Sequence, residues 1–160
     1  MDENYSAMRE APGMASEFKV IRRVEFSDTD MAGIMHFSMF FRFMETAEHA
    51  FFRSLGFSVA MRMTDPAVGW PRVHASCDFK APLRFEDEVE IHLRVIEKKS
   101  KALTYEFRFT KVNDPERTLA AIGRITAVCV SKTADGKMAA TEIPEEFADK
   151  IEVAPTDGKA

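Results

Sequence analysis

The spacing of apolar residues changes period several times along the chain, and each change marks an element. In FKVIRRVEF (residues 18–26), Val20, Arg22, Val24 and Phe26 share one side of an extended segment, which predicts a strand. Between Phe37 and Leu55 the stretch FSMFFRFMETAEHAFFRSL contains neither proline nor glycine, and Gly56 then supplies a helix stop. Its apolar positions Phe37, Phe40, Phe41, Met44, Ala47, Phe51, Phe52 and Leu55 recur at the three- and four-residue steps of a helix. Met39 and Phe43 widen the arc, so this helix is expected to be largely enveloped by other elements.

After a loop over 61–69 the period drops to two. WPRVHASCDFKAP (70–82), EDEVEIHLRVIEKK (86–99), ALTYEFRFTKV (102–112) and TLAAIGRITAVCVSK (118–132) all read as strands. The alternation is cleanest where Val89, Ile91, Leu93 and Val95 are interleaved with Glu90, His92, Arg94 and Ile96, as in a sheet with one covered face. KKSK, NDPER and TADGK supply turns short enough for antiparallel neighbours, and EIPEEFADKI suggests a short terminal helix. One strand, one apolar helix and then about four strands pack most economically with the sheet curled around the helix, an α+β architecture. Residues 1–16 and 154–160 are expected to be flexible tails around a single domain over 17–153.

Composition narrows the class. With 160 residues, 46% hydrophobic and 30% charged, the chain has the balance of a soluble globular domain. A formal net charge of −4 with no dominant basic patch argues against a nucleic-acid partner. No segment reaches the roughly 20 apolar residues of a membrane span, and the acidic start lacks the pattern of a secretory signal. Cys77 and Cys129 sit in strand-like apolar surroundings and read as buried free thiols, consistent with a cytoplasmic location.

Candidate chemistry is sparse. His36, His49, His74 and His92 form no HExxH or zinc-like spacing, and Glu45, Glu48 and His49 read as a polar cluster on the helix rather than a metal site. GxSxG, P-loop and GxGxxG motifs are absent from the sequence. The segment FSDTDMAGIMHF (26–37) stands out, because Asp28, Thr29 and Asp30 offer three oxygen acceptors ahead of the helix, where capping needs one. Gly33 permits a close backbone approach there. A helix N-terminus carries about half a positive charge with unpaired N–H donors, and it suits an oxyanion and a neighbouring carboxylate alike. EKKSK (97–101), by composition, is a hairpin turn with solvated lysines.

The DTDMAGIMHF run, the acidic residue in FFRFMETAE and the later FKAPLRFEDEVEI together resemble the 4-hydroxybenzoyl-CoA thioesterase-like branch of the hotdog-fold thioesterases, over roughly residues 18–152. The resemblance implies a hotdog fold, one central helix wrapped by a curved antiparallel sheet of about five strands. It also implies hydrolysis of an acyl- or aryl-CoA thioester with no metal and no cofactor beyond the coenzyme A of the substrate. Asp30 falls at the family's catalytic carboxylate, Phe37 at the backbone N–H that polarises the thioester carbonyl, and Gly33 in the loop beneath. His36, Phe40 and Glu45 are expected at the substrate, and Lys98 and Lys99 at the coenzyme A phosphates. Relatives of another subgroup carry a histidine where this chain has Phe37 and an aromatic residue at the place of His36.

Asp30 could act as general base toward water or as nucleophile. The resemblance also implies a homodimer or homotetramer with sites at subunit interfaces. Two rivals remain: a hotdog hydroxyacyl-thioester dehydratase, which would pair His36 with a carboxylate, and a non-catalytic acyl-CoA-binding protein.

Overall fold

The computed structural model describes residues 14–157. The expectation of a flexible N-terminal tail lies, for residues 1–13, outside that range, as does the C-terminal expectation for 158–160. Strand β1 (Glu17–Arg23) is followed by a short 3-10 turn (Phe26–Asp28), then by helix α1 (Phe37–Ser54). β2 (Arg72–Phe79), β3 (Glu88–Lys98), β4 (Ala102–Lys111) and β5 (Leu119–Val128) complete an antiparallel five-stranded sheet of order β1-β3-β4-β5-β2. Because β1 and β2 are consecutive strands on opposite edges, the chain between them has to cross the sheet. The 18-residue helix is that crossing.

The inner face of the sheet is built to receive it. Val89, Ile91, Leu93 and Val95 of β3 are fully buried, beside the aromatic row Tyr105, Phe107 and Phe109 of β4. On β5, Phe107 and Phe109 face the small residues Gly123 and Ala121, while Tyr105 faces Ile125. Large beside small leaves a trough, and α1 lays Phe40, Phe43, Met44, Ala47, Phe51 and Phe52 into it. At the closest approach, a Cβ added to Gly123 would fall 2.6 Å from the Met44 sulfur. The opposite face of α1 exposes Ser38, Arg42, Glu45 and Arg53, so in one chain the helix is covered on the sheet side and not enveloped.

Several expectations need correction. The segment 118–132 is not one strand: β5 stops at Val128, and β6 (Val130–Lys132) turns away to pair with β7 (Met138–Ala140) around the TADGK turn. The C-terminal residues 154–157 are not a free tail. Ala154 is buried and its N–H donates to the Val95 carbonyl, while Arg94 binds the Pro155 carbonyl and the Asp157 carboxylate. At the other end, buried Ala15 exchanges backbone hydrogen bonds with Lys150 and Glu152, which fixes residues 14–16. The one-turn helix α2 (Glu145–Ala148) buries Phe147 against Phe52, Phe57 and Trp70.

One charge lies inside the core. Glu48 of α1 is fully buried and its Oε1 accepts from Arg72 Nη2 at 2.5 Å, with Arg72 also donating to the Trp70 carbonyl. Burial pushes the Glu48 carboxyl up to about 7, against the pull of the Arg72 guanidinium. Between roughly pH 4.5 and 7 the folded state therefore holds a proton that the unfolded chain has released, so stability falls as pH rises through that window. The expected fall is about 3 kcal/mol, and Glu48→Gln should flatten it. Urea melts of both proteins from pH 5 to 8 would show this; parallel slopes would contradict it.

Candidate active site

Residues 24–36 form a tight loop docked on the start of β3. Val24 N–H donates to the Asp87 carbonyl, Glu86 N–H to the Val24 carbonyl and Met35 N–H to the Leu83 carbonyl. Asp28 is the brace of this loop. Its buried carboxylate accepts from Glu25 N–H at 2.9 Å, and its carbonyl accepts from His36 N–H at 2.8 Å. Asp30 sits at the exposed head of the loop, where Oδ1 accepts from Ala32 N–H at 2.8 Å. Asp30 N–H donates to the Ile34 carbonyl, and Gly33 N–H donates back to the Asp30 carbonyl. Gly33 holds φ at +77°, a conformation that strains residues carrying a Cβ.

Neither aspartate caps α1. The cap is His36, whose Nδ1 accepts from Ser38 N–H at 3.3 Å. Phe37 N–H, at the first helical position, meets no acceptor among the described residues. Its ring is 62% exposed and lies beside the His36 imidazole, with centroids 4.6 Å apart.

A cleft of about 450 Å³ opens between this helix end and the chain leaving β2, lined among others by Asp30, Met35, Phe37, Phe40, Phe79 and Lys80. Phe40 forms its floor, edge-on to Phe79 at 5.0 Å. The volume is that of a small-molecule site, and the lining is apolar apart from one carboxylate and one ammonium. Phe26, Met31, Phe37, Phe79 and Phe85 are all exposed around the Asp30 loop and the cleft, an apolar concentration of the kind that marks binding surfaces.

The structure thus gathers Asp30, Gly33, His36, Phe37 and Phe40 at one end of α1. Glu45 lies two turns further along, exposed, 3.9 Å from His49. Lys98 and Lys99 lie at the far end of β3, roughly 30 Å along the strand from the Asp30 loop. The Lys98 ammonium donates to the Ala148 and Ile151 carbonyls at 2.6 and 2.8 Å, where it ties down the end of α2. Two of its three N–H donors are thus used within the chain; Lys99 is exposed and, among the described residues, its ammonium pairs with Glu97 at 3.3 Å. Phe79 and Lys80 were not read from the sequence as site residues, although they open the FKAPLRFEDEVEI stretch. Their period-two pattern gives no hint that the helix end comes to rest beside them.

Other candidate chemistry stays outside the cleft. Among the described residues no three His, Cys, Asp or Glu side chains converge as a metal site. Cys77 and Cys129 are free thiols, each pushed up to about 11 by burial, far from the reactive thiolate range.

A long helix lying across a five-stranded antiparallel sheet is the hotdog fold. The model of the thioesterase-like superfamily matches residues 24–151, and the chain belongs to that family. A 1,4-dihydroxy-2-naphthoyl-CoA hydrolase of Nostoc punctiforme is 27% identical over 144 residues, 89% of this chain and 91% of that protein. The enzyme of the same name from Parasynechococcus marenigrum is 34% identical over 83 residues, 48% of this chain and 55% of that protein. The chain spans about half the length of several of the curated relatives it matches. Among solved structures, a gentisyl-coenzyme A thioesterase superposes with a TM-score of 0.68 at 34% identity, covering 80% of this chain and 97% of that one. A 4-hydroxybenzoyl-CoA thioesterase at 18% identity shares the fold, with a TM-score of 0.76 over 86% of this chain and 100% of that one.

The two lysines separate cleanly by experiment. Lys98→Met should lower thermal stability and leave ligand affinity unchanged, because it frees two carbonyls of the C-terminal segment. Lys99→Ala should leave the melting temperature unchanged and weaken coenzyme A binding at low salt only, if it meets a phosphate. Calorimetric melting and titration with coenzyme A would read both.

Proposed function

We propose that this protein is an acyl-CoA thioesterase that hydrolyses an acyl- or aryl-CoA thioester to the free acid and coenzyme A. The observation that carries the reading is the pairing, in one apolar cleft, of the Asp30 carboxylate with the unpartnered Phe37 N–H of an 18-residue helix. A thioester carbonyl at the helix end would place its developing oxyanion against Phe37 N–H and the positive end of the helix dipole. Asp30 then has two routes to the same products. As general base it takes a proton from water while the water oxygen bonds to the carbonyl carbon. As nucleophile its own oxygen forms that bond, giving an acyl anhydride that water opens. In both, the C–S bond breaks and coenzyme A leaves as thiol after taking up a proton. Gly33 serves either route by allowing the turn that presents Asp30.

The named substrates of the relatives are CoA thioesters of hydroxylated aromatic acids. Phe37, Phe40 and Phe79 suit a flat ring, which favours an aryl over a long aliphatic acyl group here. The reading includes no metal and no separate cofactor, and a cytoplasmic location in keeping with two free thiols.

It also includes a homodimer or homotetramer. Of the two edges of the sheet, β1 and β2, the one that supports association is β2. Among the described residues β2 pairs only with β5, most of its residues are exposed, and Val73 is among them. A two-fold partner on that edge would sit next to Phe79 and Lys80, close to the cleft. It is also the arrangement that could bring Lys99 of another subunit within reach of a bound coenzyme A.

Asp30→Asn keeps the shape of the side chain but neither accepts a proton nor attacks. It should fold like the parent and lose a hundredfold or more in kcat in a free-thiol release assay with aryl-CoA substrates. Near-parental turnover would remove Asp30 from the mechanism. Light scattering at micromolar concentration should return at least twice the 18.1 kDa chain mass; full activity in a species of monomer mass would exclude the shared edge.

A further inference from the structure

We infer that two copies of this chain join β2 to β2 in antiparallel fashion about a two-fold axis at Ser76, with His74 of each copy paired to Asp78 of the partner subunit. The inference rests on the reading that β2 is the edge of association and on no activity of the protein. Residues 74–78 read HASCD, and this pattern is self-complementary: a basic residue, then small ones, then an acidic one. Turned about Ser76, it sets base against acid at both ends and small against small between them. All of these residues are exposed or half-buried, and no lysine or proline lies between Val73 and Phe79 to keep another strand away. Neither His74 nor Asp78 forms an ion pair within its own chain among the described residues; the His74 ring meets Ser76 Oγ at 3.3 Å. Arg124, opposite Ser76 on β5, is paired with Glu106 at 3.5 Å.

The backbone fixes which residues can pair. Lys80 N–H donates to the Ala120 carbonyl at 2.8 Å, and the same ladder continues through Asp78–Ile122, Ser76–Arg124 and His74–Thr126. The even-numbered residues therefore turn N–H and C=O toward β5, while Ala75 and Cys77 turn theirs to the open edge. About Ser76, Ala75 exchanges hydrogen bonds with Cys77 of the partner subunit, which satisfies these groups. His74 and the partner's Asp78 then form a non-hydrogen-bonded pair, the closer kind, with Cα atoms about 4.5 Å apart. Cys77 lies opposite Gly123, which meets Met44 of the helix, so His74, Ser76 and Asp78 lie on the other face of the sheet. There the imidazole can donate to the carboxylate across the seam. Neighbouring registers match less well. A centre at Cys77 sets His74 against Lys80, and a centre at Ala75 sets Asp78 against Arg72, which is already bound to Glu48. The pairing about Ser76 also brings Val73 of the partner subunit, 64% exposed, opposite Phe79 on the cleft wall. Each cleft is then bordered by both copies.

His74 and Asp78 are exposed, so exchanging them tests the pairing without disturbing the core. In a dilution series by analytical ultracentrifugation, His74→Asp and Asp78→His should each raise the dimer dissociation constant about tenfold or more, because like groups then oppose each other. The double exchange, His74→Asp with Asp78→His, should return to within about threefold of the parent. A double exchange as weak as the single ones, or single variants that match the parent, would overturn the pair. Cross-linking reads the axis separately. Ser76→Cys in a Cys77→Ser background should form a covalent dimer on mild oxidation with diamide, since its thiol faces its own copy at disulfide distance. Ala75→Cys in the same background should not, and neither should Cys77 in the parent. Cross-linking at 75 or 77 in place of 76 would overturn the register while association through β2 stands. A dimer that cross-links at none of these positions, or a parent of monomer mass at micromolar concentration, would overturn both. None of these measurements involves turnover, so their outcome is independent of the thioesterase reading.

Discussion

The first turn of an α-helix has N–H groups that the helix itself cannot satisfy, and the functional end of this protein is arranged around that deficit. One of those donors, Ser38 N–H, is taken by the imidazole of His36, and Phe37 N–H is left open. The loop before the helix keeps its own polar groups occupied. Asp28 is consumed by Glu25 and His36, and half of the Asp30 carboxylate by Ala32, so no side chain of the loop swings in to close Phe37 N–H. An open donor in water has small value; beside an apolar cleft it is worth considerably more.

Such a site works only if the helix end stays where it is, and the sheet provides for that. α1 is the crossing between the two edge strands, so neither end can move without disturbing β1 or β2. Its lateral position is set by the step from the Phe107 row to Gly123, where Met44 leaves no room for a side chain. Arg72 at the start of β2 then clasps Glu48, three turns into the helix, while Phe79 at the end of the same strand meets Phe40 in its first turn. Strand and helix are thus joined at two points, and the cleft lies at the second. Precision at a site of this kind comes from the supporting packing.

Most of the fold was legible because it is written in periodicity. The alternation around Val89 to Val95 and the three- and four-residue steps from Phe40 to Phe52 report directly which face is buried. The break after Val128 was not legible, since Cys129 and Val130 continue an apolar pattern while their partners, Lys101, Gly69 and β7, are distant in sequence or across a turn. Strand order was hidden too: nothing local to RVHASCDF announces that this strand is an edge of the sheet. At the candidate site, Asp30, Gly33 and Phe37 belong to one motif contiguous in sequence, so their proximity is legible there. The partners of Lys98, the Ala148 and Ile151 carbonyls, lie about fifty residues away and leave no trace in EKKSK. The capping role of His36 could have been read in principle, as an acceptor two residues before Ser38, but histidine is not among the residues that usually announce a cap.

Two carboxylates, Glu48 within the helix and Asp30 in the loop before it, show how environment, rather than residue type, sets what a group can do. Glu48 has the strongly raised pKa that often marks a catalytic acid, yet no atom of it reaches solvent and its partner is a guanidinium bound to the backbone of Trp70. A substrate cannot touch it, so its perturbation records the desolvation of a structural pair. Asp30 is exposed, lies in a cleft with an unfilled N–H and holds its backbone in a turn that only the glycine at 33 makes easy. Access, a donor for the product of attack and a preset orientation are what a reacting carboxylate needs. Glu48 lies within the helix, where it holds β2, and Asp30 lies in the loop that leads into it, facing the cleft.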